Sequence, residues 1–186
     1  MVETLVKWDT HLFLFLNGLH SPFWDSIMLF ASGKLTWLPL YFLLLYFIAR
    51  TYKWKTLWWL LAIAIVIVVA DQISVSAFKN VFQRLRPCRT PELTGLIHLV
   101  GNCGGKYGFV SSHAANTFGV AVFLSLLFRN KLATYGLLFW AAFVSYSRIY
   151  LGVHYPGDVI CGAILGLGVG ISVWSIAIYL ITKKKY

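Results

Sequence analysis

Charge is scarce in this chain. Only 12% of its 186 residues are Asp, Glu, Lys or Arg, about half the roughly 25% of an average soluble domain. That shortage excludes an ordinary soluble surface. Acids are scarcer still, 6 against 16 Lys and Arg, so the clustered carboxylates that hold catalytic metal ions are missing. A cleavable leader is not expected either. The N-terminus has little positive charge before its apolar stretch, which Asp9, His11 and Asn17 interrupt, so the mature protein is expected to begin near Met1. Nucleic acid is excluded as a partner because the cations, though they give a net charge of +10, are dispersed between apolar runs rather than gathered in one patch. Anionic lipid suits that charge better.

What is present is oil. Hydrophobic residues make up 59% of the chain and mean hydropathy is +0.74, as in an integral membrane protein. Eight Trp, several near the ends of apolar runs, fit interfacial belts. A spanning helix needs about 20 mostly apolar residues, and residues 56–78, 112–128, 132–150 and 157–181 qualify. Trp24 to Ile48 makes a fifth, broken in its outer third by Gly33-Lys34. In residues 2–20, Leu5, Trp8, Leu12, Phe15, Leu16 and Leu19 recur at helical spacing opposite Lys7, Asp9 and Asn17, the pattern of an interfacial amphipathic helix. The expectation is an all-α membrane bundle of one domain, residues 1–186: five transmembrane helices in 21–186 behind a surface helix in 1–20. A sixth, irregular span from the N-terminal third stays open.

Alternating spans put Arg50, Lys53, Lys55, Arg129, Lys131, Lys183, Lys184 and Lys185 on one side and the remaining basic residues on the other, so a plain count ties. Setting aside the cations inside polar clusters breaks the tie. Arg129-Asn-Lys131 and the Lys-rich tail then belong in the cytoplasm, and the clusters face the periplasm or exterior of a plasma (inner) membrane.

Three polar clusters interrupt the oil: Lys79 to Arg86-Pro87, Ser111-Ser112-His113, and Ser147-Arg148 followed by His154 and Asp158. Ionisable residues at membrane depth are functional-site hypotheses by default. Lys79 and Arg86 lie seven apart, one face of a helix that Pro87 ends. Such a cation pair suits a phosphate dianion, although alone it also reads as an anchor for lipid headgroups. Ser111-Ser112-His113 opens a span behind Gly104, Gly105 and Gly108, where free N–H groups, the helix dipole and hydroxyls make an anion site. Ser capping the helix is the plainer alternative. In the third cluster a carboxylate near an imidazole fixes its tautomer and frees the other nitrogen to attack; a polar turn with an Asp cap is the alternative. All three clusters fall on one side of the membrane, and three fixed cations supply the electrostatic stabilisation that metals would otherwise give. Asp71 is expected to pair with a basic or polar neighbour, His98 has no nameable partner, and His11 and His20 read as interfacial.

Lys-x6-Arg-Pro, Ser-x-His and Ser-Arg-x5-His-x3-Asp, in this order, resemble the three signatures of the type 2 phosphatidic acid phosphatase superfamily, which includes the vanadium haloperoxidases. The likeness covers about residues 20–180. It implies that Lys79, Arg86 and Arg148 bind phosphoryl oxygens, helped by Ser111 and the amide of Ser112. It also implies that His154 is the nucleophile, Asp158 its orienting partner and His113 the general acid. Where the family usually has Pro-Ser-Gly-His, this chain has Val110-Ser111-Ser112-His113; the Ser and His are retained. The implied substrate is a phosphorylated lipid, with no cofactor, no metal and no obligate protein partner. Asn17 to Met28 and Phe128-Arg-Asn-Lys131 resemble short undecaprenyl pyrophosphate phosphatases, which makes that lipid the first expectation. Lipid A, phosphatidylglycerophosphate or phosphatidate are the alternatives, with phosphotransfer to a second lipid as another reaction class and a non-enzymatic headgroup-binding subunit as a third. Cys88 and Cys103, in the long loop 87–110, could close a disulfide across about 15 residues, or remain free thiols in a cytoplasmic loop. Cys161 reads as packing.

Overall fold

The structure is a computed structural model that describes residues 2–183. It is helical, with no strand among the described residues beyond a single antiparallel bridge between Leu85 and Tyr107. Helices α1 (Val2–Gly18) and α2 (Pro22–Ser32) come first. The break at Gly33-Lys34 divides the expected fifth span, so that α3 (Leu38–Tyr52) begins anew after a short 3₁₀ turn. Lys53 takes a left-handed φ of 48° and reverses the chain into α4 (Thr56–Ile73). A π-helical turn, Ser74–Lys79, prolongs α4 into α5 (Asn80–Phe82). After a long loop follow α6 (Ser112–Phe128), α7 (Lys131–Tyr150) and α8 (Pro156–Lys183).

Long apolar composition makes these helices, and small residues let them pack. Gly162, Gly166 and Gly170 recur at one turn along α8, and a Cβ on any of them would collide with Ser111, Ala115 or Gly119 of α6. Close backbone approach through small residues replaces the hydrophobic force that a lipid solvent does not supply. The core formed by α4, α6, α7 and α8 includes Val66, Phe123, Leu124 and Trp140. Outward faces are apolar instead of polar, as Leu132, Phe139 and Ile164 are 81%, 72% and 64% exposed. Such surfaces belong in a bilayer. By length and apolarity, Leu35–Phe82 and Pro156–Ile181 suffice to cross one, and Ser112–Phe128 is a shorter apolar helix.

The bundle has two chemically different ends. The Tyr52 hydroxyl donates to the Leu127 carbonyl at 2.8 Å, which puts the turn at Lys53–Lys55 beside the one at Arg129–Lys131. Lys184 and Lys185 lie outside the described residues. The polar clusters gather at the other end. There Asn17 of α1, 1% exposed, ties three segments together: its amide donates to the carbonyls of His98 and Tyr150 at 2.9 and 2.8 Å, and its oxygen accepts from His98 N at 2.8 Å.

Cys88 and Cys103 are joined by a disulfide, with Cα atoms 5.9 Å apart. It closes the segment between Arg86 and Gly108. In the chain-entropy model a loop of that length gives about 3 kcal/mol. Reduction, or Cys88→Ser, is therefore expected to lower the thermal unfolding midpoint by several degrees; scanning calorimetry in detergent with and without reductant checks this.

Candidate functional site

The helix carrying Lys79 ends earlier than its sequence suggests. Gln83 adopts a left-handed φ of 46°, so the helix stops at Phe82 and Arg86 does not share a helical face with Lys79. Arg86 comes from the loop instead, where its N–H donates to Lys106 O at 3.2 Å while Gly108 N donates to Arg84 O at 2.8 Å. The two cations still converge. Lys79 Nζ donates to Ser112 Oγ at 2.7 Å, and Arg86 Nη1 lies 3.1 Å from His154 Nε2.

His154 sits in the five-residue connection between α7 and α8, 1% exposed. Its N–H and that of Val153 both donate to the carbonyl of Arg148 at 3.2 and 3.1 Å, which curls the loop over the end of α7. Nδ1 of the ring lies 3.3 Å from Asp158 Oδ2. A guanidinium can only donate, so Nε2 accepts from Arg86 and the ring proton stays on Nδ1, facing the carboxylate. Burial, followed by the charges of Arg86, Arg148 and Lys79, holds the imidazole pKa well below its ordinary value. The ring is therefore neutral at physiological pH, with its Nε2 lone pair intact.

Asp158 is fully buried and saturated. Oδ2 also accepts from Tyr155 N at 3.1 Å, while Oδ1 accepts from Arg84 Nη1 at 3.0 Å. Gly108 permits this crowding, since a Cβ there would stand 2.9 Å from Asp158 Oδ2. Arg84 is a residue the sequence reading passed over. It lies flat on the Tyr155 ring, 4.0 Å from its centroid, and its Nη2 pairs with Asp9 Oδ2 at 2.7 Å. That contact is an ion pair rather than an aligned hydrogen bond. Asp9 also accepts from Gly157 N at 2.7 Å, so α1 grips the start of α8. A signal was available: Arg84 repeats Arg86 two residues earlier, and Asp9 is one of few acids.

Ser111 is fully buried and caps α6, its hydroxyl accepting from Ala114 N at 3.5 Å, while its own N–H donates to Asp158 O at 2.9 Å. Arg148 reaches back to Ser32 Oγ through Nη1. Within this ring of cations, Arg86 Nε and Arg148 Nε are buried donors without an acceptor. Buried N–H groups are nearly always satisfied, and two unsatisfied guanidinium donors in one cationic ring have the chemistry to receive an oxyanion. His113 stands at the first turn of α6, beside Ser112 at the rim of a cavity. His98 does have partners: Nε2 lies 2.8 Å from Asp25 Oδ1, which also accepts from Tyr150 Oη at 2.6 Å, and its ring stacks on His20.

Beneath the receptor a cavity of about 460 Å³ opens between α3 and α4, floored by α6 and α7. Tyr41, Ile48, Ile63, Ile67, Val120 and Leu124 form its apolar walls, and Ser112 and His113 stand at its polar end.

Fold and site together define a membrane-embedded helical bundle with a buried cationic receptor around a neutral histidine. The model of the PAP2 superfamily matches residues 58–181, and the chain belongs to that family. It is 46% identical over 170 residues, 89% of its length and 75% of the relative's, to a lipid A 4'-phosphatase of Bacteroides thetaiotaomicron. It is 33% identical over 170 residues, 88% of its length and 76% of the relative's, to an undecaprenyl-diphosphatase of Sulfolobus acidocaldarius. Among solved structures, Aquifex aeolicus LpxE superposes with a TM-score of 0.66 at 26% identity, covering 89% of this chain and 94% of that one.

Proposed function

We propose that this chain, a lipid phosphatase of the PAP2 type, removes the 4'-phosphate of lipid A through a phosphohistidine intermediate. The observation that carries the chemistry is the pair of unsatisfied guanidinium donors, Arg86 Nε and Arg148 Nε, beside the neutral His154. For the substrate, the 46%-identical lipid A 4'-phosphatase weighs more than the 33%-identical undecaprenyl-diphosphatase. Undecaprenyl pyrophosphate, the first expectation from sequence, yields to lipid A.

In this reading Lys79, Arg86 and Arg148 hold the phosphoryl oxygens, with Ser111 and the Ser112 amide as further donors. Nε2 of His154 attacks phosphorus, the P–O bond to the lipid breaks, and His113 protonates the departing oxygen. Water then attacks the phosphohistidine, His113 takes its proton, and phosphate leaves. Arg84 neutralises Asp158, which in turn holds the Nδ1 proton of His154. No step calls on a metal.

The apolar cavity receives acyl chain while the headgroup meets the cations. Five spans, α3, α4, α6, α7 and α8, cross the plasma (inner) membrane as one domain. α1 lies at its surface with Leu5, Trp8 and Phe15 outward, 65%, 72% and 65% exposed. The receptor faces the periplasm.

Phosphate release by detergent-purified protein in EDTA, from lipid A, undecaprenyl diphosphate, phosphatidylglycerophosphate and phosphatidate, tests the proposal. Preference for lipid A supports it, and preference for any other lipid reassigns the substrate. A phosphorylated acceptor lipid in place of free phosphate would reassign the reaction to phosphotransfer.

Arg84 touches no substrate in this scheme, so its role is positioning. Arg84→Gln is expected to lower kcat about 100-fold, the scale of a small displacement of a reacting group, with KM nearly unchanged. Arg84→Lys, which keeps the charge, should recover part of the loss; a KM effect without a kcat effect would contradict the role.

A further inference from the structure

Asp71 is an acid that the mechanism does not use. It lies on α4 and lines the cavity; its charge acts on Lys79, in keeping with the basic partner expected from sequence, but no side-chain hydrogen bond or close ion pair occupies its carboxylate among the described residues. Carboxylates at membrane depth are costly and mark function. Its level in the cavity follows from helix register. α4 and α6 are antiparallel, with Lys79 meeting Ser112 and Val66 packed against Gly119. Five residues nearer the receptor on α4 and three on α6, Asp71 comes near the level of Asn116. Asn116 lies three residues past His113, roughly 4.5 Å further down the axis of α6. It also lines the cavity, and its Oδ1 has no partner.

Two polar side chains thus flank the space one turn beneath the phosphoryl receptor, where the atoms just beyond the scissile phosphate must lie. We infer that Asp71 and Asn116 form a selectivity subsite. It accepts hydrogen bonds from the hydroxyl or amide N–H groups of a phosphorylated sugar lipid and turns away a second phosphoryl group. The charge argument decides the class. In a lipid diphosphate the next group along is another anion, which would stand against the Asp71 carboxylate at low dielectric. Like charges in such a site are strongly disfavoured. A phosphomonoester on an amidated, hydroxylated sugar brings donors instead, and the carboxylate is a strong acceptor for them. A polyprenyl chain offers only hydrocarbon. This inference rests on the lipid phosphatase reading and names the substrate chemistry of that same site.

The test compares kcat/KM for lipid A and for undecaprenyl diphosphate in the wild type, Asp71→Asn, Asp71→Glu and Asn116→Leu, each checked for folding by size-exclusion profile and unfolding midpoint. Asp71→Asn should raise kcat/KM on the diphosphate at least several-fold and lower it on lipid A about tenfold. Asp71→Glu should keep the wild-type ranking, and Asn116→Leu should weaken lipid A alone. A parallel fall on both lipids would overturn the inference, since it would make Asp71 a partner of Lys79. No change in the ratio would overturn it too. The diphosphate arm stands by itself: a wild type that leaves lipid A untouched counts against the proposed function. An Asp71→Asn enzyme that gains nothing on the diphosphate counts against the subsite.

Discussion

His154→Ala is expected to abolish phosphate release, with a loss of about 10⁴-fold or more, because the substitution removes the atom that bonds to phosphorus and not merely a contact. Binding should survive in part, since Lys79, Arg86 and Arg148 remain. The discriminating measurement is therefore double. With labelled lipid substrate, rapid acid-free quenching of the wild type should trap label on protein in a linkage that resists alkali and yields to acid, as a phosphoramidate does. The alanine variant should trap none while still retaining lipid in a co-purification assay. Residual turnover within tenfold of wild type would remove His154 from the centre of the mechanism. The structure gives reasons to expect the large effect. The ring is buried, neutral and held in one tautomer by Arg86 on one side and Asp158 on the other.

Much of this site could be read from the chain. Hydropathy marked the helices because a bilayer demands long apolar segments whatever their tertiary partners. The gathering of Lys79, Arg86, His154 and Asp158 followed from the order of motifs along alternating spans. What escaped is what depends on packing between distant segments. Arg86 was expected on the helix of Lys79, but Gln83 takes a left-handed turn and the loop delivers the guanidinium from another direction. His98 looked solitary because its hydrogen-bond partner Asp25 lies 73 residues away in sequence and Tyr150, whose ring meets its own edge-on, belongs to a different helix, α7. Asp71 was expected to pair with a basic or polar neighbour, and its charge does act on Lys79, but the cavity it lines is formed by four helices and has no mark in the sequence. Arg84 and Asp9 carry no motif at all. Their roles appear only when α1 folds across the start of α8, placing Asp9 between Gly157 N and Arg84. That arrangement also explains why an amphipathic N-terminal helix carries an acid on its inner face: the helix rests its apolar side outward and closes the charge chain that ends at His154.

Asp158→Asn should come close to His154→Ala in effect while changing almost no volume. In the native site both carboxylate oxygens accept, Oδ2 from His154 Nδ1 and Tyr155 N, Oδ1 from Arg84 Nη1. An asparagine must turn one NH₂ toward one of these donors. If it faces Arg84, two donors confront each other in a buried site and the guanidinium loses its acceptor. If it faces His154, it donates to Nδ1, drives the ring proton to Nε2 and removes the lone pair that attacks. Either choice is costly. A wrong tautomer alone is worth on the order of 10⁴-fold in rate. The expected pattern is a loss of about 10³–10⁴-fold in kcat with lipid binding retained. Because the Oδ1 acceptor for Arg84 is disturbed at the same time, adding Arg84→Gln to Asp158→Asn should cost little more than Asp158→Asn alone. Independent, additive losses in that double-mutant cycle would mean that Arg84 does not act through Asp158.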